Sequence, residues 1–433
     1  MKRGLQSVDI ITMGCSKNLV DSERLMRMFA DAGCDVRHNP SNLRGGVVVI
    51  NTCGFIGDAK QESIDMILEC CQAKSRGECS AVYVMGCLSE RYSRELPADI
   101  PEVDGWYGKF DWVGIITHLH KSASQAPDWE RTLTTPAHSA YLKIAEGCNR
   151  FCAYCAIPLI TGRYRSRPIP EILAEVRSLV TRGVKEFNVI AQDLTYYGKD
   201  IYGEYSIAEL VDEIADIPGV EWIRLHYAYP TDFPMDLLDV MARRDNVCKY
   251  LDIALQHVSD TVLGNMRRHI TGGQTRTLLA EIRRRVPGIH LRTTLMVGFP
   301  GEGEKEFEEL KEFVREQRFE RMGAFAYCEE EDTYAATHYA DSIPQDVKDR
   351  RLAELMEIQE EVSLDVNAAK VGSRMRVIVD SETPEYFVGR TQYGSPEVDP
   401  EVLVCKTSPM KPGDFVDVEI TEAMPFELIA RQV

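Results

Sequence analysis

Nowhere in the 433 residues does an apolar run approach the ~18 consecutive residues that a bilayer-spanning helix needs. A helical membrane span is therefore excluded, and no membrane partner is expected. The opening segment MKRGLQSVDI is basic but lacks an apolar h-region, so no secretory signal is expected and the chain reads as cytoplasmic. Positive charge is scarce: 50 Lys and Arg stand against 68 Asp and Glu, a formal net charge of −18. That balance argues against a broad nucleic-acid footprint and makes direct nucleic-acid binding the less favoured reading. A basic protein partner suits it better. Low-complexity tracts and internal repeats are also missing, which excludes solenoid and collagen-like architectures. What the chain does have is cysteine, thirteen in all. In a long chain with no export signal and an ordinary 44% hydrophobic content, they point to metal binding or catalysis rather than to disulfides.

Short apolar runs alternate with helical spacings along most of the chain. VDIITM (8–13), GVVVINT (46–52) and AVYVMG (81–86) are bounded by glycine and followed by helical stretches, the pattern of a parallel sheet. Residues 121–139 lack apolar periodicity and hold two prolines, which predicts a linker. Strands are then expected at 141–145, 186–192, 222–227, 250–255, 290–299 and 322–327, with helices between them. Six such units predict a doubly wound sheet or a partial (β/α)6 barrel, closed by a long charged helix near 344–369. After Gly372 the pattern becomes about five short alternating strands, a small β-barrel. The expected class is α/β: an N-terminal parallel-sheet domain (1–120), the linker, a central barrel (140–369) and a C-terminal β-barrel (370–433).

Cys148, Cys152 and Cys155 stand in the segment EGCNRFCAYC with C-x3-C-x2-C spacing, directly after the first central strand. Active sites in α/β folds gather at that end of a strand. Three clustered thiolates hold soft metal. A structural zinc site would recruit a fourth ligand. An iron–sulfur cube held by three cysteines keeps one iron open. The segment resembles the C-x3-C-x-φ-C motif of the radical S-adenosylmethionine (SAM) superfamily, with Tyr154 at the aromatic position. The resemblance implies a 4Fe–4S cluster on these three cysteines, SAM bound at its open iron, and a deoxyadenosyl radical as hydrogen abstractor. It places Tyr154 near the adenine and a six-stranded partial barrel around the site.

Cys15, Cys53 and Cys87 are far apart in sequence, yet each sits just past the end of an expected parallel strand with a glycine beside it. Neighbouring strands lie ~4.8 Å apart, so adjacent strand ends can bring the three together. Cysteine is also a small buried hydrophobe, and from spacing alone that reading stays open. It is the favoured one for Cys34, Cys70, Cys71, Cys79, Cys248, Cys328 and Cys405. GCSKNLVDSE, NTCGFI and MGCLSERY resemble the N-terminal domain of the methylthiotransferases, and the C-terminal strands resemble a TRAM domain. Together these likenesses cover essentially the whole chain. They imply a second 4Fe–4S cluster on Cys15, Cys53 and Cys87, two clusters in all, and a low-potential electron donor such as flavodoxin.

Within the methylthiotransferases, GCSKNLVDSE, the GRYRSRP tail after the central triad, LQHVSDTVLGNMRR and GRTQYGSPEVDPEVLV are similar to one branch. That branch modifies the β-carbon of an aspartate in small-subunit ribosomal protein S-twelve. The alternative branch modifies a tRNA adenosine. Segment 366–433 carries seven Lys and Arg against eleven Asp and Glu, a net charge of −4. An acidic barrel favours a basic protein substrate over phosphates. A different class of reading is a non-catalytic iron–sulfur or zinc redox sensor that binds ribosomes. Cys328-Glu329-Glu330-Glu331 and Asp332-Thr333 depart from the family's usual pattern, which puts local loop detail in doubt. Gln192 and Gly298 are further candidate SAM contacts by the resemblance, although Gly298 also fits a plain strand-to-helix turn. His257 suits a hydrogen-bonded core histidine better than a ligand. Arg163, Arg165 and Arg167 suit either substrate contact or a solvated edge.

Overall fold

The computed structural model describes residues 6–119, 127, 129–399 and 401–433. Residues 121–126 and 128 of the expected linker lie outside them. Two compact units emerge. One runs to Thr134 and includes Glu146–Asn149 and Ala156–Tyr164; the other comprises Thr135–Ala145, Arg150–Cys155 and Arg165–Val433.

The first unit is built on a five-stranded parallel sheet: β1 (Gln6–Thr12), β2 (Cys34–His38), β3 (Val47–Thr52), β4 (Ala81–Gly86) and β5 (Gly105–Trp106), in the order β2-β1-β3-β4-β5. The side chains of β3, VVVINT, are all buried, as expected of a β-branched central strand with helices over both faces. Val47 and Val49 join Leu25 and Phe29 of helix α1 (Ser16–Asp31) in one cluster. Val48 and Ile50 join Ile67 of α2 (Gly57–Ser75) in the other. The period-2 alternation of a strand produces this division. β1, β3 and β4 are adjacent, so the three strands that precede Cys15, Cys53 and Cys87 are consecutive in space. The short helix α3 (Cys87–Arg91) starts at Cys87 itself.

In the second unit, β6 (Ser139–Lys143) begins the central sheet. Two short strands, β7 (Ala145–Glu146) and β8 (Arg165–Ser166), flank the loop of the central cysteines in sequence. There follow β9 (Glu186–Ile190), β10 (Trp222–Ala228), β11 (Val247–Ile253), β12 (His290–Val297) and β13 (Arg321–Ala326). The order β13-β12-β11-β10-β9-β6 is sequential and every pairing is parallel. Sequential order with helical crossovers is a partial barrel; a doubly wound sheet would reverse direction midway. Helix Gln345–Ala368 follows. Strands β14 (Arg374–Glu382), β15 (Tyr386–Thr391), β16 (Val402–Cys405), β17 (Phe415–Ala423) and β18 (Leu428–Gln432) close a five-stranded barrel in the order β14-β15-β16-β18-β17. Its core holds Val377, Val379, Phe387, Val404 and Ile420. Arg390 of this barrel reaches Glu186 at the start of β9, with Nη1–Oε1 at 2.8 Å and Nη2–Oε2 at 2.7 Å. Among the described residues no helix is long and apolar enough to cross a membrane.

Candidate functional site

In the N-terminal unit the three cysteine loops converge. A Cβ added at Gly14, whose φ is +88°, would lie 2.8 Å from Cys53 Cβ, and one at Gly54 would lie 2.7 Å from the Leu88 backbone. Only glycine permits that approach, and the two contacts tie the first loop to the second and the second to the third. Each thiol lies within electrostatic range of the other two. Cys15 is exposed at the start of α1, Cys53 is half-buried, and Cys87 is buried. Burial pushes the Cys87 thiol up to about 12, with Lys109 opposing the rise. Burial also raises Cys53, countered in part by the Phe55 backbone.

One side chain that the sequence did not single out holds the three loops. Asn18, buried on α1, donates from Nδ2 to Met13 O (3.1 Å) and Thr52 O (2.9 Å). Its Oδ1 accepts from Lys109 Nζ at 3.2 Å and from the Cys87 thiol at 3.6 Å. Its backbone carbonyl accepts from Asn51 at the end of β3. Asn18 falls within the quoted GCSKNLVDSE, three residues past Cys15, and on the same helical face as Asp21. Polar residues on a buried helix face were the available signal.

The three thiols suit an iron–sulfur cluster in donor chemistry. Among the described residues, no three His, Cys, Asp or Glu side chains stand close enough to share one metal ion. A 4Fe–4S cube spreads its cysteines over separate irons and asks for wider spacing than one ion does. A bound thiol is deprotonated by the metal whatever its free value.

Around the central triad, backbone bonds fix the loop. Cys148 N donates to Gly162 O, Ala153 N to Met266 O (2.9 Å), and Cys155 N to Cys152 O (3.0 Å). Cys152 Sγ lies 3.4 Å from Arg268 Nη1 and 3.5 Å from the Tyr229 hydroxyl. Arg268 also reaches the Tyr154 hydroxyl (3.3 Å), and its guanidinium lies over the Tyr229 ring at 4.0 Å. Burial raises Tyr154 well above the usual phenol range, opposed by Arg268. A permanent cation thus faces the Cys152 sulfur and the aromatic residue of the motif. Arg268 and Tyr229 were not singled out from the sequence, because Tyr229 lies just past β10 and Arg268 in the loop that follows the helix Asp260–Asn265.

Gln192, two residues past β9, is half-buried. Its neighbour Asp193 grips Arg150 Nε at 2.6 Å. Gly298 ends β12, but its N–H donates to Glu302 Oε1 at 2.9 Å. A Cβ there would meet Lys348 Cγ at 2.4 Å, so the close approach that needs glycine is to Lys348. His257 is fully buried between Glu302 Oε2 (3.2 Å) and the Ser259 N–H (3.0 Å); it is a hydrogen-bonded core residue. Arg167 bonds Glu171, Glu175 and Lys143 O, so it braces the barrel. Past β11, Gln256 is buried with φ +70° and its Oε1 has no hydrogen-bond partner. A buried polar atom without a partner at the strand ends is what a site for a polar cofactor leaves behind, and SAM's amino acid moiety fits it.

The comparisons with known proteins agree with this geometry. Residues 7–108 match a family described as Uncharacterized protein family UPF0004, residues 142–314 the Radical SAM superfamily, and residues 371–433 the TRAM domain. The ribosomal protein uS12 methylthiotransferase RimO of Parabacteroides distasonis is 60% identical over 424 residues, 98% of each chain. Its namesake from Bacteroides thetaiotaomicron is 59% identical over 100% of this chain and 99% of that one, and that of Christiangramia forsetii 48% over 97% and 93%. Among solved structures, the radical S-adenosylmethionine methyltransferase TsrM from Kitasatospora setae, with tryptophan and a SAM analog bound, has a TM-score of 0.54 at 14% identity. The match covers 74% of this chain and 72% of that one, a likeness of fold. Full-length identity at this level, with all three domains in order, makes the chain a radical SAM methylthiotransferase of the family of ribosomal protein uS12 methylthiotransferase RimO.

Proposed function

We propose that the protein attaches a methylthio group to the β-carbon of an aspartate in small-subunit ribosomal protein S-twelve. The observation that carries this reading is the full-length identity to the relatives named above. The convergence of Cys15, Cys53 and Cys87 on adjacent strand ends supports the assignment of a second cluster there. In the proposed arrangement Cys148, Cys152 and Cys155 hold one 4Fe–4S cluster and Cys15, Cys53 and Cys87 another. When bound, the first would supply one-electron chemistry to SAM, and the second the sulfur chemistry.

The chain's own residues do the positioning. Arg268 sets a fixed positive charge against Cys152 Sγ and holds the Tyr154 hydroxyl. Tyr154 packs edge-on against Phe299 at 6.2 Å, presenting a rigid apolar wall that keeps water from the adenine side. Gln256 Oε1 and Gln192 stand at strand ends where they would orient the SAM amino group. Gly298 shapes the β12 turn. The acidic C-terminal barrel suits a basic ribosomal protein, and Arg390 adds little positive charge to its surface, being buried against Glu186 and Asp380. The reading places the protein in the cytoplasm, with flavodoxin or a comparable low-potential donor supplying electrons.

Cys152→Ala should abolish deoxyadenosine production, and Cys53→Ala should spare it while blocking methylthio transfer. Mass spectrometry of ribosomal proteins from cells lacking the gene should show S-twelve lighter by one methylthio substitution. A loss confined to tRNA would move the activity to nucleic acid. Unchanged deoxyadenosine production in the Cys152 variant would sink the cluster assignment.

A further inference from the structure

Lys109 follows the edge strand β5, yet it is fully enclosed in the N-terminal unit. Its ammonium has three N–H donors. Three acceptors surround it: Asp21 Oδ2 at 3.0 Å, Asn18 Oδ1 at 3.2 Å and Cys87 Sγ at 3.8 Å. Asp21 alone would neutralise the charge, and Asn18 would complete a polar pair. The third hydrogen is spent on sulfur, although a buried lysine would be better satisfied by another oxygen. Both amide and carboxylate come from α1, at Asn18 and Asp21 in the two turns that follow Cys15. The trio therefore aims the cation at the thiol of the third loop. Hydrogen bonds and charge at ligating sulfurs tune iron–sulfur centres.

We propose that Lys109, held by Asp21 and Asn18, is a positioning residue for the N-terminal cluster. Its N–H and fixed charge on the Cys87 sulfur raise that cluster's reduction potential. The inference rests on the reading that Cys15, Cys53 and Cys87 hold a 4Fe–4S cluster.

The test uses the full-length chain with Cys148, Cys152 and Cys155 replaced by alanine, reconstituted anaerobically with iron and sulfide. The remaining cluster is titrated with dithionite and followed by electron paramagnetic resonance, with iron counted by Mössbauer spectroscopy. Lys109→Met removes the cation, and the ratio of reduced to oxidised cluster at a fixed potential should fall about tenfold, about 59 mV for a one-electron couple. Asp21→Asn leaves the ammonium less compensated and should move the ratio the opposite way. Lys109→Arg should restore most of the native value. Opposed shifts with iron retained support the proposal, because a purely structural role would cost iron in both variants without opposing the potentials. If Lys109→Met fails to hold iron, the direction of the Asp21→Asn shift decides. Native potentials in both variants overturn the inference and leave the cluster reading standing. Absence of a cluster when Lys109 and Asp21 are both native overturns that reading itself.

Discussion

Replacing Asn18 with alanine isolates the part of the N-terminal site that is scaffold rather than ligand. The amide makes two donor contacts, a part-buried one to Met13 O and a buried one to Thr52 O. Leaving a buried acceptor without its donor costs about 1–3 kcal/mol and a part-exposed one less, so the two together set a loss of about 1–4 kcal/mol. Lys109 keeps Asp21 but loses its other oxygen acceptor. The Cys15 and Cys53 loops lose the bond that joins them, while Gly14 still packs on Cys53. The expected phenotype has two parts. The unfolding free energy obtained from denaturation of the N-terminal unit should fall by the amount above, and iron assigned to the N-terminal triad should drop by half or more after reconstitution. SAM cleavage at the central triad should stay close to native. Tryptophan fluorescence suits the midpoint, since Trp106 and Trp112 lie in this unit, with iron and sulfide measured on the same samples. Native stability together with native iron content in Asn18→Ala would refute the view that this one side chain organises the three loops.

Four further outcomes follow from the second unit. Glu186→Gln leaves buried Arg224 without its carboxylate and Arg390 with Asp380 alone, and should cost about 3–5 kcal/mol; an unchanged denaturation midpoint would contradict it. The two guanidiniums hold the Glu186 carboxyl well below the usual range against the opposing effect of burial, so its contribution is complete at neutral pH and fades only as acid protonates it. Burial lowers Lys370 to about 7. The unfolded chain then binds a proton that the folded one lacks between pH ~7 and ~10.4, so stability rises with pH through that window. Lys370→Met should therefore raise the melting temperature most below pH ~7, with the gain fading toward pH ~10.4, and a pH-independent gain would exclude the titration. Gln256→Leu should raise KM for SAM about tenfold, the worth of one hydrogen bond to a charged group, with iron content unchanged; an unaltered KM removes Gln256 from the cofactor site.

The parts of the fold visible in the sequence were those whose pattern has a strong physical cause. β3 and β4 are buried on both faces, so their composition is apolar apart from Asn51 and Thr52 at the end of β3, and their place in a parallel sheet was readable. β2 was not foreseen: CDVRH is short, part-exposed and carries Asp35 and Arg37, and it exists as a strand because β1 pairs with it along Gln6↔Cys34 to Ile10↔His38. β5 has only two residues and no pattern to read. The six central strands were visible, while the choice between a doubly wound sheet and a barrel needed their spatial order. Cys148, Cys152 and Cys155 stood out by their spacing, while Cys15, Cys53 and Cys87 shared a strand-end position that left the buried-hydrophobe reading open until the family resemblance was added. Their supporting residues did not. Lys109 and Arg268 meet Cys87 and Cys152 only through tertiary contacts, and no local regularity marks a lysine or an arginine whose partner is remote in the chain. Gly298 shows the reverse case: a motif glycine whose amide bonds Glu302 and whose close neighbour is Lys348.

The discontinuity of the N-terminal unit bears on how its three-cysteine site is built during synthesis. Cys87 packs with Ala156 and Ile160 in one apolar cluster. The sheet that aims Cys15, Cys53 and Cys87 is complete once β5 has emerged, but this cover is made only after β6. A nascent chain therefore passes through a stage in which the third thiol is aligned and still uncovered on that side. Such a stage leaves the thiol open to small molecules, and to oxidative damage, until Ile157–Thr161 folds down. Chains shortened at Thr134 would stay in that stage permanently.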